Sequence, residues 1–306
     1  MAATGTRQAL ATRYGDLPRG IFWVIVSMAL FAGLAVFSRA VMDTGMHPIE
    51  VVFFRNLLAC LMFTPLLLWR GASLVRSSQL NLYGLRVSMM LVSMWAWFYA
   101  LSKISIGEVT AIGFLGPLCG TLGAAIFLRE TVRARRWIAL IVGFLGALVI
   151  LRPGLSSVGA GQMAALLGAM LSGMGAVMVK QLTAGDDPDK IVFLTNLMLT
   201  PMSLVPALFV WQWPQASQGP LLLGMGLCAV LGHAAWARSY ALLDASLAQT
   251  FEFSRLLFAV AFAYMVFGET MDGWTWVGAV IIFASSAYIT RREAQLRRAR
   301  LPGSAQ

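Results

Sequence analysis

The chain contains itself twice, and a fold for it has to be built from two like halves. Tyr99-Ala100-Leu101 returns as Tyr240-Ala241-Leu242, and Val52-Phe53 and Asn56-Leu57 return as Val192-Phe193 and Asn196-Leu197. Leu128-Arg129-Glu130-Thr131, followed by Trp137, returns as Phe267-Gly268-Glu269-Thr270, followed by Trp276. Each paired position differs by 139 to 141, so the two units align in one register.

Both units are apolar. The chain is 59% hydrophobic and 12% charged, where a soluble domain carries about 25% charged residues. A membrane-crossing helix needs about 20 mostly apolar residues. Ten segments qualify: 20–40, 48–69, 82–101, 106–128, 136–151, 160–180, 190–211, 220–242, 246–268 and 273–290. The weakest are 136–151, which is short, and the 242–246 break, punctuated only by Asp244-Ala245-Ser246. The expected fold is all-α and integral to a membrane. It has ten transmembrane helices, as two five-helix repeats around a central cavity. Because five is odd, the second repeat enters from the opposite side, so the repeats are inverted. The corresponding division is a tail over 1–19, repeats over 20–154 and 155–290, and a basic tail over 291–306.

Charge sets the expected orientation. With the N-terminus inside, the inner segments hold 16 of the 23 basic residues and the outer ones only Arg39, Lys103 and Arg152. That bias places both termini in the cytosol. The net charge of +10 is then a topology signal and a contact for anionic lipid, and nucleic acid is not expected as a partner. The first apolar run is too long for a cleaved signal, so a retained helix is expected. Cys60, Cys119 and Cys228 stand singly in apolar runs, without disulfide or metal spacing.

These features resemble the EamA-type branch of the drug/metabolite transporter superfamily. The resemblance rests on Phe127-Leu128-Arg129-Glu130 and Val266-Phe267-Gly268-Glu269, with Gly143/Gly146 and Gly278 in the spans that follow. Arg129 stands where the family commonly has glycine. Arg135-Arg136-Trp137, Gly143-Phe144-Leu145-Gly146, Leu151-Arg152-Pro153-Gly154, Arg255-Leu256 and Arg291-Arg292-Glu293 are similar to a bacterial subgroup associated with riboflavin or S-adenosylmethionine uptake. The resemblance covers about residues 20–293. It implies ten helices around a cavity, braced by the fourth, fifth, ninth and tenth spans, with access alternating by rocking of the others.

Charge inside a membrane marks candidate function, since an Arg or Asp at mid-helix costs about 2.5–3.5 kcal/mol on insertion scales. Two clusters are expected. The outer one is Glu50, Arg55 and Glu108; the inner one is Arg238, Glu252 and Arg255. Read functionally, they are ion-pair gates, one per mouth. Read structurally, they neutralise each other. Arg86 lies near enough to the inner end to snorkel. Aromatics form a second constellation. Trp95 and Tyr99 share a face of the third span, and Trp236 and Tyr240 share a face of the eighth. Facing inward, these rings would stack on a planar ligand; facing outward, they would join an interfacial belt. Trp97 falls opposite Trp95, so at most one of the two faces the cavity. Trp69, Trp211, Trp213 and Trp274 are read as belt residues. His233 is a ligand contact, a proton carrier or a packing histidine. Asn56 and Asn196 hold equivalent positions in the repeats and bond across helices or touch substrate. Gly116-x-x-x-Gly120 allows close helix contact. Pro117, Pro65 and Pro206 are the hinge candidates, with Pro201 beside them.

No phosphate-binding loop, HExxH or GxSxG motif occurs, so an ATP-driven pump and the common hydrolases are not expected. Neither a metal nor another cofactor is expected. The function expected is secondary transport of a small polar or planar metabolite, with uptake of a riboflavin- or S-adenosylmethionine-like compound preferred. Export of amino acids or related metabolites is the alternative, and a scaffold or lipid-handling protein is the reading from another class. Glu252 and Glu108 are the candidates for proton coupling, an uncoupled facilitator is equally consistent, and the surface leaves room for a homodimer.

Overall fold

Inside lipid every backbone amide has to find its acceptor within its own segment or its sheet, and the described residues form helices with no strand among them. The computed structural model describes residues 2–70, 77–127, 134–151, 158–182, 185–186, 188–243, 251–252 and 254–300. Its side-chain description excludes 2–16, 62–70, 124–127, 134–136 and 289–300, and single positions that include Pro117. The helices are α1 (Ala2–Asp43), α2 (Pro48–Arg70), α3 (Leu80–Leu101), α4 (Ile106–Gly113), α5 (Gly116–Phe127), α6 (Ala134–Leu151), α7 (Ala160–Leu182), α8 (Pro188–Ala207), α9 (Gly219–Leu242), α10 (Ser254–Phe267) and α11 (Gly273–Arg300). Three are long and apolar enough to cross a membrane by length and composition: Leu17–Asp43, Leu80–Leu101 and the stretch Ala216–Leu242, which includes α9.

Three differences from the sequence expectation have local causes. The run 106–128 is two helices, because Pro117 carries no amide hydrogen for the Gly113 carbonyl. The chain answers with tight turns there: Phe114 N–H donates to Ala111 O at 3.2 Å and Leu115 N–H to Ile112 O at 3.0 Å. The tails expected over 1–19 and 291–306 are helical continuations of α1 and α11, through Pro18 at one end and as far as Arg300 at the other. The seventh segment stops at Ala207, short of Trp211. The Asp244-Ala245-Ser246 break, Arg129-Glu130 and Arg152-Pro153-Gly154 lie outside the described residues, and so do the side chains of Pro65, Trp69 and Pro117.

Packing follows the duplication. The broadest contacts join α1 to α9 and α3 to α7; others join α6 to α11, α5 to α7, α1 to α10, α2 to α8, α2 to α9, α3 to α8 and α4 to α10. Exchanging each helix for its repeat counterpart maps these pairs onto one another: α1–α9 becomes α7–α3, α1–α10 becomes α7–α5, and α2–α9 becomes α8–α3. The hydrogen bonds follow the same rule. Ser27 Oγ donates to Gly232 O at 2.9 Å between α1 and α9, and Ser93 Oγ donates to Gly168 O at 2.8 Å between α3 and α7. Positions 27 and 168 differ by 141, and 93 and 232 by 139. The same two sites are bonded in each half, with serine and glycine exchanged.

Glycine sets how close the backbones come. A Cβ built on Gly173 of α7 would stand 2.2 Å from Gly116 O and 2.6 Å from Gly120 N, so the Gly116-x-x-x-Gly120 face of α5 is a backbone contact. On Gly278 of α11 it would stand 2.5 Å from Gly146 O of α6. Gly173→Ala therefore has to separate α5 from α7. It is expected to destabilise the protein by about 1–3 kcal/mol, the usual range for overpacking. Gly175→Ala, which meets nothing within 4 Å, is expected to keep or raise the thermal midpoint of the purified protein in detergent. Equal midpoints for the two variants would contradict the contact.

Candidate functional site

Among the described residues, Glu50, Glu108, Glu269 and Asp272 are taken up at helix starts, and this separates residues that the sequence reading grouped. Glu50 is fully buried at the first turn of α2, where its carboxylate accepts from His47 N–H at 3.1 Å and from Gln212 N–H at 2.6 Å. Glu108 holds the third position of α4, whose capping residue Ser105 accepts from Glu108 N–H at 3.2 Å; its carboxylate takes Gln162 Nε2 at 3.1 Å. Both are capping-box positions, with negative charge at the positive end of a helix. Glu269 does the same from outside. Gly268, at φ +68°, turns the chain at the end of α10, and Glu269 then accepts Ile106 N–H of α4 at 3.0 Å beside Arg39 at 3.7 Å. This gives the Phe-Gly-Glu motif a structural role, in which a left-handed glycine aims an acid at another helix.

Arg55 is thus no partner of Glu50 or Glu108. It lies deeper on α2, 9% exposed, and its Nη1 donates to Asn56 Oδ1 at 3.0 Å and contacts Met94 Sδ at 3.9 Å. Asn56 Nδ2 donates to Ser203 Oγ on α8 at 3.3 Å. Thr200 Oγ1 reaches the Asn56 and Asn196 carbonyls at 3.3 and 3.0 Å. Asn56 therefore joins α2 to Thr200 and Ser203 of α8, beside Pro201 and Pro206, while Asn196 takes part through its backbone carbonyl.

The second constellation forms on α9. His233, Trp236 and Tyr240 fall on one face. Trp236 Nε1 donates to Glu252 Oε1 at 3.1 Å and Tyr240 OH donates to the same oxygen at 2.9 Å, with the two rings 4.3 Å apart. Glu252 lies within electrostatic range of Arg255. Arg255 stacks over Phe31 at 5.8 Å and Trp97 at 5.5 Å, distances that mark cation–π contact. His233 packs edge-on against Phe31 at 4.9 Å and holds its Nδ1 2.6 Å from Ala229 O. That nitrogen carries the hydrogen, which leaves Nε2 of the neutral ring as an acceptor. Arg55 and Arg255 both act electrostatically on His233. His233 and Trp236 are exposed, on a helix that packs against α1 and α2.

Four expected members are elsewhere or differently used. Arg238 stacks on Trp23 at 4.7 Å, on another face of α9 from Glu252. Tyr99 is 38% exposed beneath Lys103 at 5.7 Å. Trp95 has its Nε1 buried without an acceptor, and it is Trp97 that meets Arg255. The reason is rotational: Met94 and Trp97 lie one turn apart on the face of α3 that meets Arg55 and Arg255. Of the belt tryptophans, Trp213 and Trp274 are exposed, while Trp211 packs on Phe53 and Phe54.

The sequence reading missed a clasp at the opposite end from Glu269. Asp186, between α7 and α8, accepts from Ser77 Oγ, from Tyr83 OH at 3.2 Å and from Lys190 Nζ at 2.5 Å. It ties the start of α3 to the start of α8. Pro188 opening α8, in register with Pro48 opening α2, was the available signal. Arg86, nearly two turns into α3, donates to Thr195 of α8.

Among the described residues, helical packing, apolar spans and a polar cluster between helices are those of a helical membrane protein. The chain belongs to the EamA-like transporter family, whose model matches residues 18–152 and again 159–291. It is 31% identical over 284 residues to the riboflavin transporter of Vibrio cholerae serotype O1, across 92% of this chain and 95% of that one. It is 26% identical to the S-adenosylmethionine uptake transporter of Rickettsia bellii, across 90% and 94%, and 27% identical to the pseudopaline exporter of Pseudomonas aeruginosa, across 88% and 97%. A solved crystal structure superposes with TM-score 0.59 at 15% identity, across 89% of this chain and 98% of the other, and shows the fold alone.

Lys190 and Ser77, with Tyr83 adding a weaker bond, hold the Asp186 carboxyl below its ordinary value of 3.8. A depressed carboxyl stabilises the fold when ionised, so the increment is whole at neutral pH and is lost only as pH falls below that value. Asp186→Asn is expected to cost about 2 kcal/mol at pH 7, the scale of hydrogen bonds to a charged group. The gap to wild type should close in strong acid. A gap independent of pH, in thermal melts across the range, would show that the charge is not responsible.

Proposed function

We propose that the chain is a secondary transporter that moves a small polar or planar organic metabolite across the cytoplasmic membrane by alternating access. Ten spans in two inverted five-helix halves, with both termini cytosolic, are the architecture this reading requires. The exchange of packed pairs between the halves supports it, as does the excess of arginine and lysine in the inner loops. The observation that carries the reading is the cluster of His233, Trp236, Glu252 and Arg255, which Phe31 and Trp97 of the first half contact. Inverted-repeat transporters hold their substrates at such a midplane junction. Uptake of a riboflavin-like or S-adenosylmethionine-like compound is preferred, in line with the relatives' names. Likeness to a pseudopaline exporter keeps export as the second reading.

Glu252 is the carboxylate placed to bind substrate or a proton, because it faces the cluster and holds Trp236 and Tyr240 in place. Purified protein in liposomes, tested with labelled riboflavin and S-adenosylmethionine, is expected to take up one of them faster than empty vesicles. Glu252→Gln should lower the initial rate at least tenfold, because the amide cannot carry the charge that anchors both donors. Proton coupling predicts acceleration by an inward proton gradient in wild type and none in the variant. Equal flux with and without protein would refute transport of these compounds.

A further inference from the structure

The middle of the bundle holds more donors than acceptors. Arg55 on α2 and Arg255 on α10 approach His233 from different halves of the chain. Arg55 is buried, and its bonds go to a neutral amide oxygen and a thioether. Arg255 has its Nε buried against no acceptor. Glu252 is in range of Arg255, but its Oε1 already takes two donors. A guanidinium has five N–H donors and accepts nothing. Among the described residues, two guanidinium groups therefore face one carboxylate, and the remaining acceptors are few: Oε2 of Glu252 and Nε2 of His233.

We infer, on the basis of the transport reading above, that this site selects a planar heteroaromatic compound with clustered carbonyl or carboxylate acceptors and rejects cations. Arg55 and Arg255 take the acceptors, and Trp97 offers its ring to the ligand plane. Paired N–H groups of a guanidinium match two neighbouring oxygens, which a lysine would not do. A sulfonium or ammonium group would meet two like charges in a medium that screens them poorly. Trp97 is seated for the role by Gly113, where α4 ends: a Cβ there would lie 2.8 Å from two of its ring carbons. Charge separates the compounds named for the relatives: riboflavin is a neutral dicarbonyl ring system, whereas S-adenosylmethionine, which also has a planar base and a carboxylate, carries a sulfonium and an ammonium.

The test is direct binding to the full-length protein in detergent, by equilibrium dialysis with labelled riboflavin, flavin mononucleotide and S-adenosylmethionine. Both flavins should bind wild type at least tenfold more tightly than S-adenosylmethionine. Arg55→Gln and Arg255→Gln should each weaken flavin binding at least tenfold and narrow the preference. Arg86→Gln, whose guanidinium bonds Thr195 on the α3–α8 seam, should leave it unchanged. Equal or tighter binding of S-adenosylmethionine by wild type overturns the inference and needs no variant. So does a proportional loss of all three ligands in the arginine variants, which would mark a structural role. Flavin preference in dialysis with no flux in liposomes upholds the selectivity and refutes transport; flux of S-adenosylmethionine does the reverse.

Discussion

Close backbone approach at glycine is what the two halves rest on. Lipid tails are as apolar as leucine, so apolar contact alone gives helices in a membrane little reason to choose each other. Surfaces that fit at backbone distance provide the reason. Gly173 meets Gly116 and Gly120, Gly146 meets Gly278, and the Ser27–Gly232 and Ser93–Gly168 bonds pin the broadest crossings. These contacts need no charge. A frame made this way leaves the charged residues free for other work.

Where the acids go then decides the character of the interior. Glu50, Glu269 and Asp272 accept backbone N–H groups at helix starts, and Glu108 lies in the first turn of α4, where the helix dipole favours its charge and Gln162 Nε2 donates to it. Asp186 is occupied by Lys190 and two hydroxyls. Among the described residues, Glu252 is the acid left facing the central cluster, against Arg55 and Arg255. A buried guanidinium without a matching acid is expensive. That expense falls at the junction of the halves, where an incoming ligand with acceptors would relieve it.

The frame was legible in the chain because it depends on spacing. A constant offset of 139 to 141 anticipates the exchange of packed pairs, and Gly116-x-x-x-Gly120 anticipates the α5–α7 crossing. The site was less legible because it depends on rotation about helix axes. Periodicity puts Trp95 and Trp97 on opposite sides of α3 but does not say which side is inward. Grouping Glu50 and Glu108 with Arg55 treated acids near one mouth as a cluster. The Ser105-x-x-Glu108 pattern, a capping box before an apolar run, carried the other answer. The reach of Asp186 to α3 was hidden for a different reason: Ser77 and Tyr83 are more than 100 residues away, while Lys190 is only four away.

The frame treats its two ends alike, yet their chemistry differs. Position 50 is glutamate and position 190, its counterpart, is lysine. At the Glu50 end the carboxylate belongs to the helix it caps and reaches out to a loop amide at Gln212. At the Asp186 end the carboxylate belongs to the loop, and the helix supplies the ammonium of Lys190. On the transport reading, opening the first end would free Glu50 from neutral amides and part Glu269 from Arg39. Opening the second would part Asp186 from Lys190 and from two hydroxyls. A preference between two open states would then draw on this difference in what each end releases.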